Sequence, residues 1–320
     1  MSSDKHIVIT GGLGFIGHHL VRYYIDRGFR VTLVDNLETH TSHAALTKYR
    51  IEYIDNKKVD FIQSNCSLSF SIKEKMKFTS SPRSLIHLAS HPNQFAVEKD
   101  EYGAASSMIA NTLATAKFAT ELGARYVYVS SSMVYGNFTS TLQPENSHLN
   151  PINLYGLLKA QGEEIAKLTH GNTVIVRPSA VYGPGDNINR VLGKWISAAF
   201  ENTPIVVNDA SSLLDFTYVS DLVAGIAAIE ENGSSHQAYN ITRGQARSLG
   251  EVALLIKQFT NSKTEIKYLA DTDLRMPQRG ALDISKATAH TGYNPKIDII
   301  DGLQRYIQWM RNRDDLYRVL

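Results

Sequence analysis

Residues 6–17 read His-Ile-Val-Ile-Thr-Gly-Gly-Leu-Gly-Phe-Ile-Gly, which predicts a strand, a glycine turn and the start of a helix. Gly12, Gly14 and Gly17 have the spacing G-x-G-x-x-G. In this pattern the glycines allow a tight turn, a close approach of the backbone to a pyrophosphate, and close packing of the helix on the strand. The pyrophosphate would lie at the helix N-terminus, where free N–H groups and the helix dipole favour an anion. The stretch therefore predicts a dinucleotide site.

A carboxylate follows the next predicted strand. Asp35 stands 18 residues after Gly17, where a ribose-binding acid is expected. Its carboxylate would accept hydrogen bonds from the ribose hydroxyls and repel a 2′-phosphate. Asn36 and Leu37 follow it rather than an arginine, so the predicted cofactor is NAD and not NADP. A structural glycine loop without a nucleotide is the alternative interpretation.

The rest of the first 240 residues alternates short apolar runs with helical segments such as Gly17–Arg27, Tyr102–Leu122 and Tyr155–Thr169. Such alternation predicts an α/β fold with a doubly wound parallel Rossmann sheet. The apolar runs that we assign to strands are His6–Thr10, Arg30–Val34, Val59–Gln63, Ser84–Leu88, Arg125–Ser130, Thr173–Val176 and Ala238–Ile241.

After Arg177, prolines and glycines interrupt this rhythm. A helix at Asp221–Glu231 is predicted to return to the sheet, and two more follow at Leu249–Thr260 and Asp301–Arg311. We therefore predict an NAD-binding Rossmann domain of residues 1–177 plus about 216–242. A smaller interleaved α/β C-terminal domain, of about residues 178–215 plus 243–320, would bind the substrate.

Composition excludes several classes of function. The 320 residues are 43% hydrophobic and carry a net charge of +2, too little to indicate nucleic-acid binding. We expect no membrane segment, because no uninterrupted apolar stretch of about 18 residues occurs. No apolar segment precedes the first strand, so we expect no signal peptide. The single cysteine, Cys66, suits a reducing compartment, and we expect a cytoplasmic protein.

Two histidine pairs could suggest a metal, namely His18 with His19 and His40 with His43. Neither has the accompanying acids or cysteines of a metal site. We interpret them as surface histidines and expect no metal.

A tyrosine and a lysine are spaced to share one helix face. Tyr155 and Lys159 are four residues apart in a predicted helix. An unperturbed tyrosine has a pKa of about 10, and a nearby ammonium would favour its phenolate. Tyr155 is therefore a candidate general acid/base, and Lys159 could also hold the cofactor ribose. A serine-rich segment, 130–132, ends a strand where open α/β sheets bind ligands. An ordinary surface helix is the alternative.

Together these motifs resemble the extended short-chain dehydrogenase/reductase family, in particular its NAD-dependent nucleotide-sugar epimerases of the UDP-glucose/galactose 4-epimerase type. The resemblance covers nearly the whole chain. Besides the motifs above, it rests on His87–Ser90, Asn111, Ser131–Gly136, Arg177–Pro184, Asp215–Asp221, Asp283–Lys286 and Gly292–Pro295.

The resemblance implies specific site residues. Ser131, Tyr155 and Lys159 match the catalytic set. The positions implied at the cofactor are Gly11, Gly14, Phe15, Ile16, Gly17, Asp35, Asn36, Leu37, Asn65, Cys66, Leu88, Ala89, Ser90, Asn111, Tyr155, Lys159 and Pro178. Those implied at the substrate are Ser131, Ser132, Met133, Ser179, Ala180, Arg190 and Arg279.

The resemblance also implies an activity and an assembly. The expected activity is epimerisation of a nucleotide-activated sugar, in which a ring hydroxyl is oxidised transiently and hydride returns to the opposite face. The helices at Tyr102–Leu122 and Tyr155–Thr169 match those that form a four-helix homodimer interface in the family. A face buried within one chain is the alternative.

The chain departs from the family's dehydratases directly after Ser131. Those enzymes carry an Asp-Glu pair where this chain has Ser132 and Met133. Because elimination of water needs an acid for the leaving hydroxyl and a base for the carbon-bound proton, these residues argue against dehydration.

Two other departures concern the substrate diphosphate. Many of the epimerases have an asparagine where this chain has Ala180 and an arginine where it has Leu214. A one-way NAD-dependent sugar dehydrogenase or ketoreductase therefore stays open as an alternative, whereas the intact catalytic set argues against a non-enzymatic NAD-binding protein. Four cations could replace the missing contacts, although each could equally be a solvated surface charge: Arg190, Lys194, Arg275 and Arg279. We favour Arg279, because the family often has a substrate-side arginine shortly before the motif at Asp283–Lys286.

Overall fold

The computed structural model describes residues 5–38, 44–55, 57–67, 81–270 and 275–313. Its strands and helices are numbered below in chain order. Seven strands form the main sheet, and their ends lie within one residue of the predicted runs: β1 (His6–Thr10), β2 (Arg30–Asp35), β3 (Val59–Gln63), β4 (Ser84–His87), β5 (Arg125–Val129), β7 (Thr173–Arg177) and β11 (Ala238–Asn240).

The order of the main sheet is β11-β7-β5-β4-β1-β2-β3. Every pairing in it is parallel. The chain runs from β1 outward to β3 and then returns to β4 on the other side of β1. In doubly wound sheets, this reversal of strand order opens a crevice at the carboxyl ends of the strands. The predicted fold class is therefore confirmed, and the crevice lies beside the glycine turn that follows β1.

The central strands are buried along their whole length. In β1 and β7 every residue is buried, and both strands are rich in valine and isoleucine. Near-continuous apolar runs of this kind suit parallel strands that are covered on both faces. Because all seven strands run in the same direction, the residues that follow β1, β2, β4, β5 and β7 lie along one edge of the sheet.

The helices of the described residues include the six that the sequence predicted. Three of these begin two residues earlier than predicted, at Phe15, Val219 and Ile299, each directly after its N-cap residue. The helices are α1 (Phe15–Asp26), α2 (Ala44–Ile54), α3 (Gln94–Lys99), α4 (Glu101–Leu122), α5 (Leu154–Thr169), α6 (Val191–Glu201), α7 (Val219–Asn232), α8 (Leu249–Thr260), α9 (Ser285–Thr291) and α10 (Ile299–Asn312).

Helices cover both faces of the sheet. On one face, α1 and α7 pack Leu20 and Leu222 against a core that includes Ile9 and Val176. On the other face, α4 supplies Phe118 to a separate core cluster, to which α5 also contributes. No described helix combines the length and the apolar character that crossing a membrane requires.

A second set of elements follows β7. β8 (Ala180–Tyr182), β10 (Leu213–Tyr218) and β12 (Ala246–Ser248) form a three-stranded sheet, and two strand pairs join β9 (Ile205–Asn208) to β13 (Ile266–Leu269) and β6 (Leu142–Gln143) to β14 (Ala281–Leu282). Helices α6, α8 and α10 share a separate hydrophobic core that contains Trp195, Ile256 and Tyr306. The division into two domains at the boundaries given above stays a prediction.

Candidate active site

The glycine turn connects β1 to α1 and needs glycine at two of its positions. Gly11 has a φ of +70°, and a Cβ there would lie 2.7 Å from the Ala89 backbone nitrogen. A Cβ on Gly17 would collide with the Gly11 carbonyl oxygen and come within 2.8 Å of the Gly12 Cα. The first glycine thus permits the turn to approach the residues after β4. The last permits α1 to pack onto the turn, as the sequence predicted.

The N-terminus of α1 is suited to an anion. Its N-cap residue, Gly14, has no side chain to bond the first-turn N–H groups, and the first turn carries no acidic residue. Such unbonded N–H groups and the positive end of the helix dipole attract a phosphate.

Asp35 lies beside this turn, at the end of β2. Its Oδ2 accepts a hydrogen bond from the Leu13 backbone N–H at 3.0 Å, and its Oδ1 accepts one from the Leu37 N–H at 3.0 Å. A carboxylate oxygen can accept more than one hydrogen bond, so these contacts are compatible with ribose hydroxyls as further donors. Asn36 is occupied differently, because its Oδ1 accepts from the Glu38 N–H.

Two buried polar atoms support the fit of a cofactor in this crevice. Ser90 follows β4 and Asn111 lies in α4. The Ser90 Oγ and the Asn111 Oδ1 are buried without a hydrogen-bond partner among the described residues. Buried polar atoms are normally hydrogen-bonded, so unpaired ones at positions implied for cofactor contact suit a polar ligand. Leu88 and Ala89 lie between them and the glycine turn, and the Leu88 N–H donates to the Thr10 carbonyl.

Two residues shortly after β3, Asn65 and Cys66, are positions that the resemblance assigns to the cofactor. The Asn65 side chain already accepts hydrogen bonds from the N–H and the hydroxyl of Ser67. Cys66 is buried in the core, and burial together with the charge of Asp35 raises the pKa of its thiol to about 12. A thiol with this pKa is unreactive at neutral pH, so Cys66 acts as a packing residue of this core.

Tyr155 stands at the start of α5, above the end of β5. Burial raises the pKa of its phenol, whereas hydrogen bonding with Ser131 and the positive charge of Arg190 lower that pKa. The Ser131 Oγ also accepts a hydrogen bond from the Met133 N–H at 3.2 Å. The structure therefore brings together the serine and the tyrosine that the sequence assigned to catalysis.

Lys159 lies one turn further along α5. Its Nζ donates to the Val129 carbonyl at 2.9 Å and lies 6.0 Å from the centre of the Tyr155 ring. Burial lowers the pKa of this ammonium to about 8. Lys159 is thus mostly cationic at pH 7, and it loses its proton as the pH rises through about 8.

The substrate-side residues 132, 133, 179 and 180 meet after β5 and β7. The Ser132 N–H donates to the Pro178 carbonyl at 2.8 Å, and its Oγ donates to the Ser179 Oγ at 3.3 Å. Met133 is buried. Ala180 and Leu214 are only partly buried and pack against the core beneath the three-stranded sheet.

Arg190 connects the glycine turn to Tyr155. Its guanidinium forms an ion pair with Asp186 at 3.0 Å and lies 5.9 Å from the centre of the Phe15 ring. The electrostatic interaction with Tyr155 is mutual, because each group shifts the pKa of the other. The ion pair with Asp186 therefore fixes this cation beside the crevice, with its side chain still 37% exposed.

Arg279 is a second candidate cation, which the structure partly buries. Its Nε is buried and has no hydrogen-bond partner among the described residues, and burial lowers the pKa of the guanidinium to about 10. Arg275 instead bonds Glu98 at 3.2 Å, and Lys194 is exposed. Of the four candidate cations, Arg190 and Arg279 thus remain suited to an anionic ligand.

The interpretation of His18 and His19 as surface residues is wrong. His18 is fully buried, and its Nδ1 donates to the Gly14 carbonyl at 3.0 Å. The His19 Nε2 donates to the Pro184 carbonyl at 2.7 Å. Burial lowers the pKa of both rings, so they are neutral, and the His19 hydrogen bond ties α1 to the loop before Arg190. His40 and His43 lie outside the described residues, and within the described ones no cluster of potential metal ligands occurs.

Sequence reasoning missed Arg50, a buried residue of α2. Its guanidinium donates to the Leu13 carbonyl at 3.0 Å and to the Gly185 carbonyl at 2.9 Å. It therefore links the glycine turn to the same loop. No motif surrounds Arg50, and its partners are backbone carbonyls at distant positions, so the sequence carried no signal for it.

Comparison with known proteins decides the family. The sequence model of the NAD-dependent epimerase/dehydratase family matches residues 7–242, which is most of the chain. The chain belongs to this family. NAD is the cofactor of the family, which confirms the predicted cofactor, and the predicted resemblance is confirmed with it.

Individual members of the family have different activities. A putative UDP-glucose 4-epimerase of Methanocaldococcus jannaschii is 30% identical over 96% of this chain and 99% of the relative. UDP-glucuronic acid decarboxylase 1 of Xenopus tropicalis is 29% identical over 96% of this chain and 72% of its own length. The solved structure of a Bacillus cereus UDP-glucuronic acid 4-epimerase, in complex with UDP-glucuronic acid and NAD, matches with a TM-score of 0.86 at 23% identity, covering 96% of this chain and 99% of that one. The structural match concerns the fold alone.

Proposed function

We propose that this chain is an NAD-dependent epimerase of a nucleotide-activated sugar. The observation that carries the proposal is the pairing of Ser131 with Tyr155 and Lys159 in a crevice where the next two residues, Ser132 and Met133, have no acidic group. This set can move one proton at a ring hydroxyl, and the two residues after it add no further acid or base.

The chain's own residues would handle that proton. Tyr155 takes it from the ring hydroxyl, and Ser131 hydrogen-bonds the reacting oxygen. Lys159 holds the cofactor ribose and, with Arg190, favours the phenolate. Asp35 and the N-terminus of α1 hold the ribose and the pyrophosphate. Bound NAD supplies the chemistry of accepting a hydride and returning it.

Dehydration and decarboxylation of the sugar both need further proton transfer at a ring carbon or a leaving hydroxyl. The Ser132 hydroxyl is engaged with Ser179, and Met133 is a buried thioether. These side chains favour epimerisation over both reactions.

We propose that Arg279 and Arg190 contact the anionic part of the substrate. The Arg279 Nε is buried without a hydrogen-bond partner among the described residues, and a phosphate or carboxylate of the substrate would accept a hydrogen bond from it. These two residues would take the place of the contacts missing at Ala180 and Leu214.

We also propose a homodimer through α4 and α5. Both helices expose large apolar side chains, with Leu113, Leu157 and Leu168 exposed by 39%, 43% and 87%. A groove of about 510 Å³ lies across them, lined by Ile109, Leu149, Ala160, Gln161, Glu164, Ile165 and Leu168. The cytoplasmic location stays a proposal that the single buried cysteine supports.

The second candidate is a one-way sugar dehydrogenase or ketoreductase, which the apolar residues at positions 180 and 214 favour. One experiment separates the two functions. The purified chain is tested for co-purifying NAD and incubated with UDP-, GDP- and CDP-sugars, and the products are followed by NMR. We expect an epimer without net NADH. Accumulation of NADH in step with a keto or acid product would replace the epimerase with the dehydrogenase.

A further inference from the structure

Helix α5 presents three polar residues in a row toward the end of β5. Tyr155, Lys159 and Glu163 follow one another at intervals of four residues, so they share one helix face. The end of β5 bonds the last two: the Lys159 Nζ donates to the Val129 carbonyl at 2.9 Å, and the Ser130 Oγ donates to the Glu163 Oε1 at 2.6 Å. Since Ser131 is the partner of Tyr155, the last residue of β5 and the two residues after it each engage one member of the row.

Glu163 is fully buried and held from a second strand. The Nε and Nη2 of Arg177, at the end of β7, donate to its two carboxylate oxygens at 2.9 and 2.6 Å. The Arg177 side chain is itself only 4% exposed. These charge-assisted hydrogen bonds fix the position of the Glu163 carboxylate between Arg177 and Ser130.

Glu163 differs in charge from the other titratable groups around Lys159. Burial and the lysine's own charge lower the pKa of His87 to about 3, and the pKa of His91 is lowered as well, so both rings are neutral. The phenols of Tyr128 and Tyr155 are also neutral, because burial raises their pKa values. Among the described groups that face Lys159, Glu163 is the negatively charged one at neutral pH.

We propose that Glu163 is a positioning residue of the acid/base site, and that its carboxylate, fixed by Arg177 and Ser130, keeps Lys159 cationic and in place. The importance of this for turnover rests on the proposed function, in which Lys159 holds the cofactor and assists Tyr155. The link between Glu163 and Lys159 itself is a property of the chain alone.

The electrostatics give the direction of the effect. Burial lowers the pKa of Lys159 to about 8, and the charge of Glu163 opposes that shift. Removal of the negative charge must therefore lower the pKa of Lys159 further. The lysine would then lose its proton within the neutral range.

The test is a direct titration of Lys159 in the full chain. The protein is labelled with ¹³Cε-lysine, the Lys159 resonance is assigned by its loss in Lys159→Arg, and its midpoint is followed by NMR with and without bound NAD. In Glu163→Gln we expect the midpoint in the nucleotide-free chain to fall by about one pH unit. The measurement needs neither substrate nor turnover, so it tests the link between Glu163 and Lys159 even if the chain is not an epimerase.

A second buried cluster offers a matched control. At the opposite edge of the sheet, Glu230 accepts from Arg83 at 2.9 Å on both oxygens, and the Ser84 hydroxyl donates to it as well. Glu230→Gln removes the same chemistry far from Lys159. We expect it to lower the melting temperature as Glu163→Gln does and to leave the Lys159 midpoint unchanged.

Glu163→Gln leaves Arg177 buried without its anion, which can prevent folding. The double variant Glu163→Gln/Arg177→Gln removes both charges and replaces the single variant in that case. It should also lower the Lys159 midpoint. A folded Glu163→Gln or double variant whose Lys159 titrates as in the unmodified chain would overturn the proposal, and so would an equal shift in Glu230→Gln.

Discussion

The Lys159 ammonium nitrogen lies 6.0 Å from the centre of the Tyr155 ring. Its hydrogen bond goes to a backbone carbonyl of β5 and not to the phenol. The sequence suggested that this lysine and the cofactor would favour the phenolate. The structure adds Arg190, whose charge lowers the pKa of Tyr155 and persists at any pH that the protein tolerates.

The pKa of Lys159 leads to a pH dependence of cofactor binding. Its pKa is lowered from 10.5 to about 8, so the cationic form is present below pH 8 and is lost as the pH rises through that value. If the ammonium holds the cofactor ribose, NAD affinity should fall about tenfold between pH 7 and 9. Calorimetric titration at several pH values measures this. Lys159→Arg, whose guanidinium stays charged, should flatten the profile, and a flat profile in the unmodified chain would contradict the role.

The phenol of Tyr155 is the proposed acid/base. Tyr155→Phe keeps the ring but removes the ionisable hydroxyl, so we expect turnover to fall by about 10²- to 10⁴-fold with NAD binding retained. Tyr268→Phe changes a tyrosine of β13 that is 51% exposed and serves as the control. Both variants are assayed on the sugar that the NMR panel identifies. Full activity in Tyr155→Phe would contradict the role of the phenol as the acid/base.

Local sequence was sufficient wherever one segment determines its own structure. The seven strands of the main sheet were predicted to within one residue, because buried runs of valine and isoleucine are typical of such strands. The glycine turn was predicted because a Cβ on Gly17 has no room. Contacts between distant segments were not found. Arg50 is 135 residues from Gly185, and the burial of His18 depends on the loop packed over it. Glu163 did carry a local signal, its spacing of four from Lys159, but only Arg177 and Ser130 reveal its charge and burial.

Gly17 should tolerate no side chain. In Gly17→Ala the new methyl group meets the Gly11 carbonyl, so α1 must move away from the turn that would bind the pyrophosphate. We expect the free energy of unfolding to fall by about 1–3 kcal/mol, as for overpacked sites. NAD binding should be lost with it. Urea unfolding and calorimetry give both values. Gly171→Ala, where a Cβ would meet nothing within 4 Å, should change neither.

The exposed apolar side chains of α4 and α5 make the dimer testable. Leu168 is 87% exposed in the single chain, and Leu168→Asp would place a charge in the proposed interface. Light scattering coupled to size-exclusion chromatography should show a dimer for the unmodified chain and a monomer for the variant. Leu254→Asp alters a leucine of α8 that is 56% exposed and should stay dimeric. A monomeric unmodified chain would refute the dimer.

We expect Arg279 to contribute to the affinity for nucleotide-sugars and not to the stability of the ligand-free chain. Its buried Nε has no partner among the described residues, and burial lowers the pKa of the guanidinium, so burial disfavours its charge. In Arg279→Met we expect unfolding of the ligand-free chain to become no easier, because an apolar side chain of similar length replaces that charge. Affinity for nucleotide-sugars should fall by about 10- to 100-fold, since a charged hydrogen bond to the ligand is lost. Arg275→Met, which removes an exposed cation paired with Glu98, is the control and should bind as the unmodified chain does. If Arg279→Met lowers stability and leaves affinity intact, the arginine is a structural residue and the anion must be held elsewhere, with Arg190 the next residue to test.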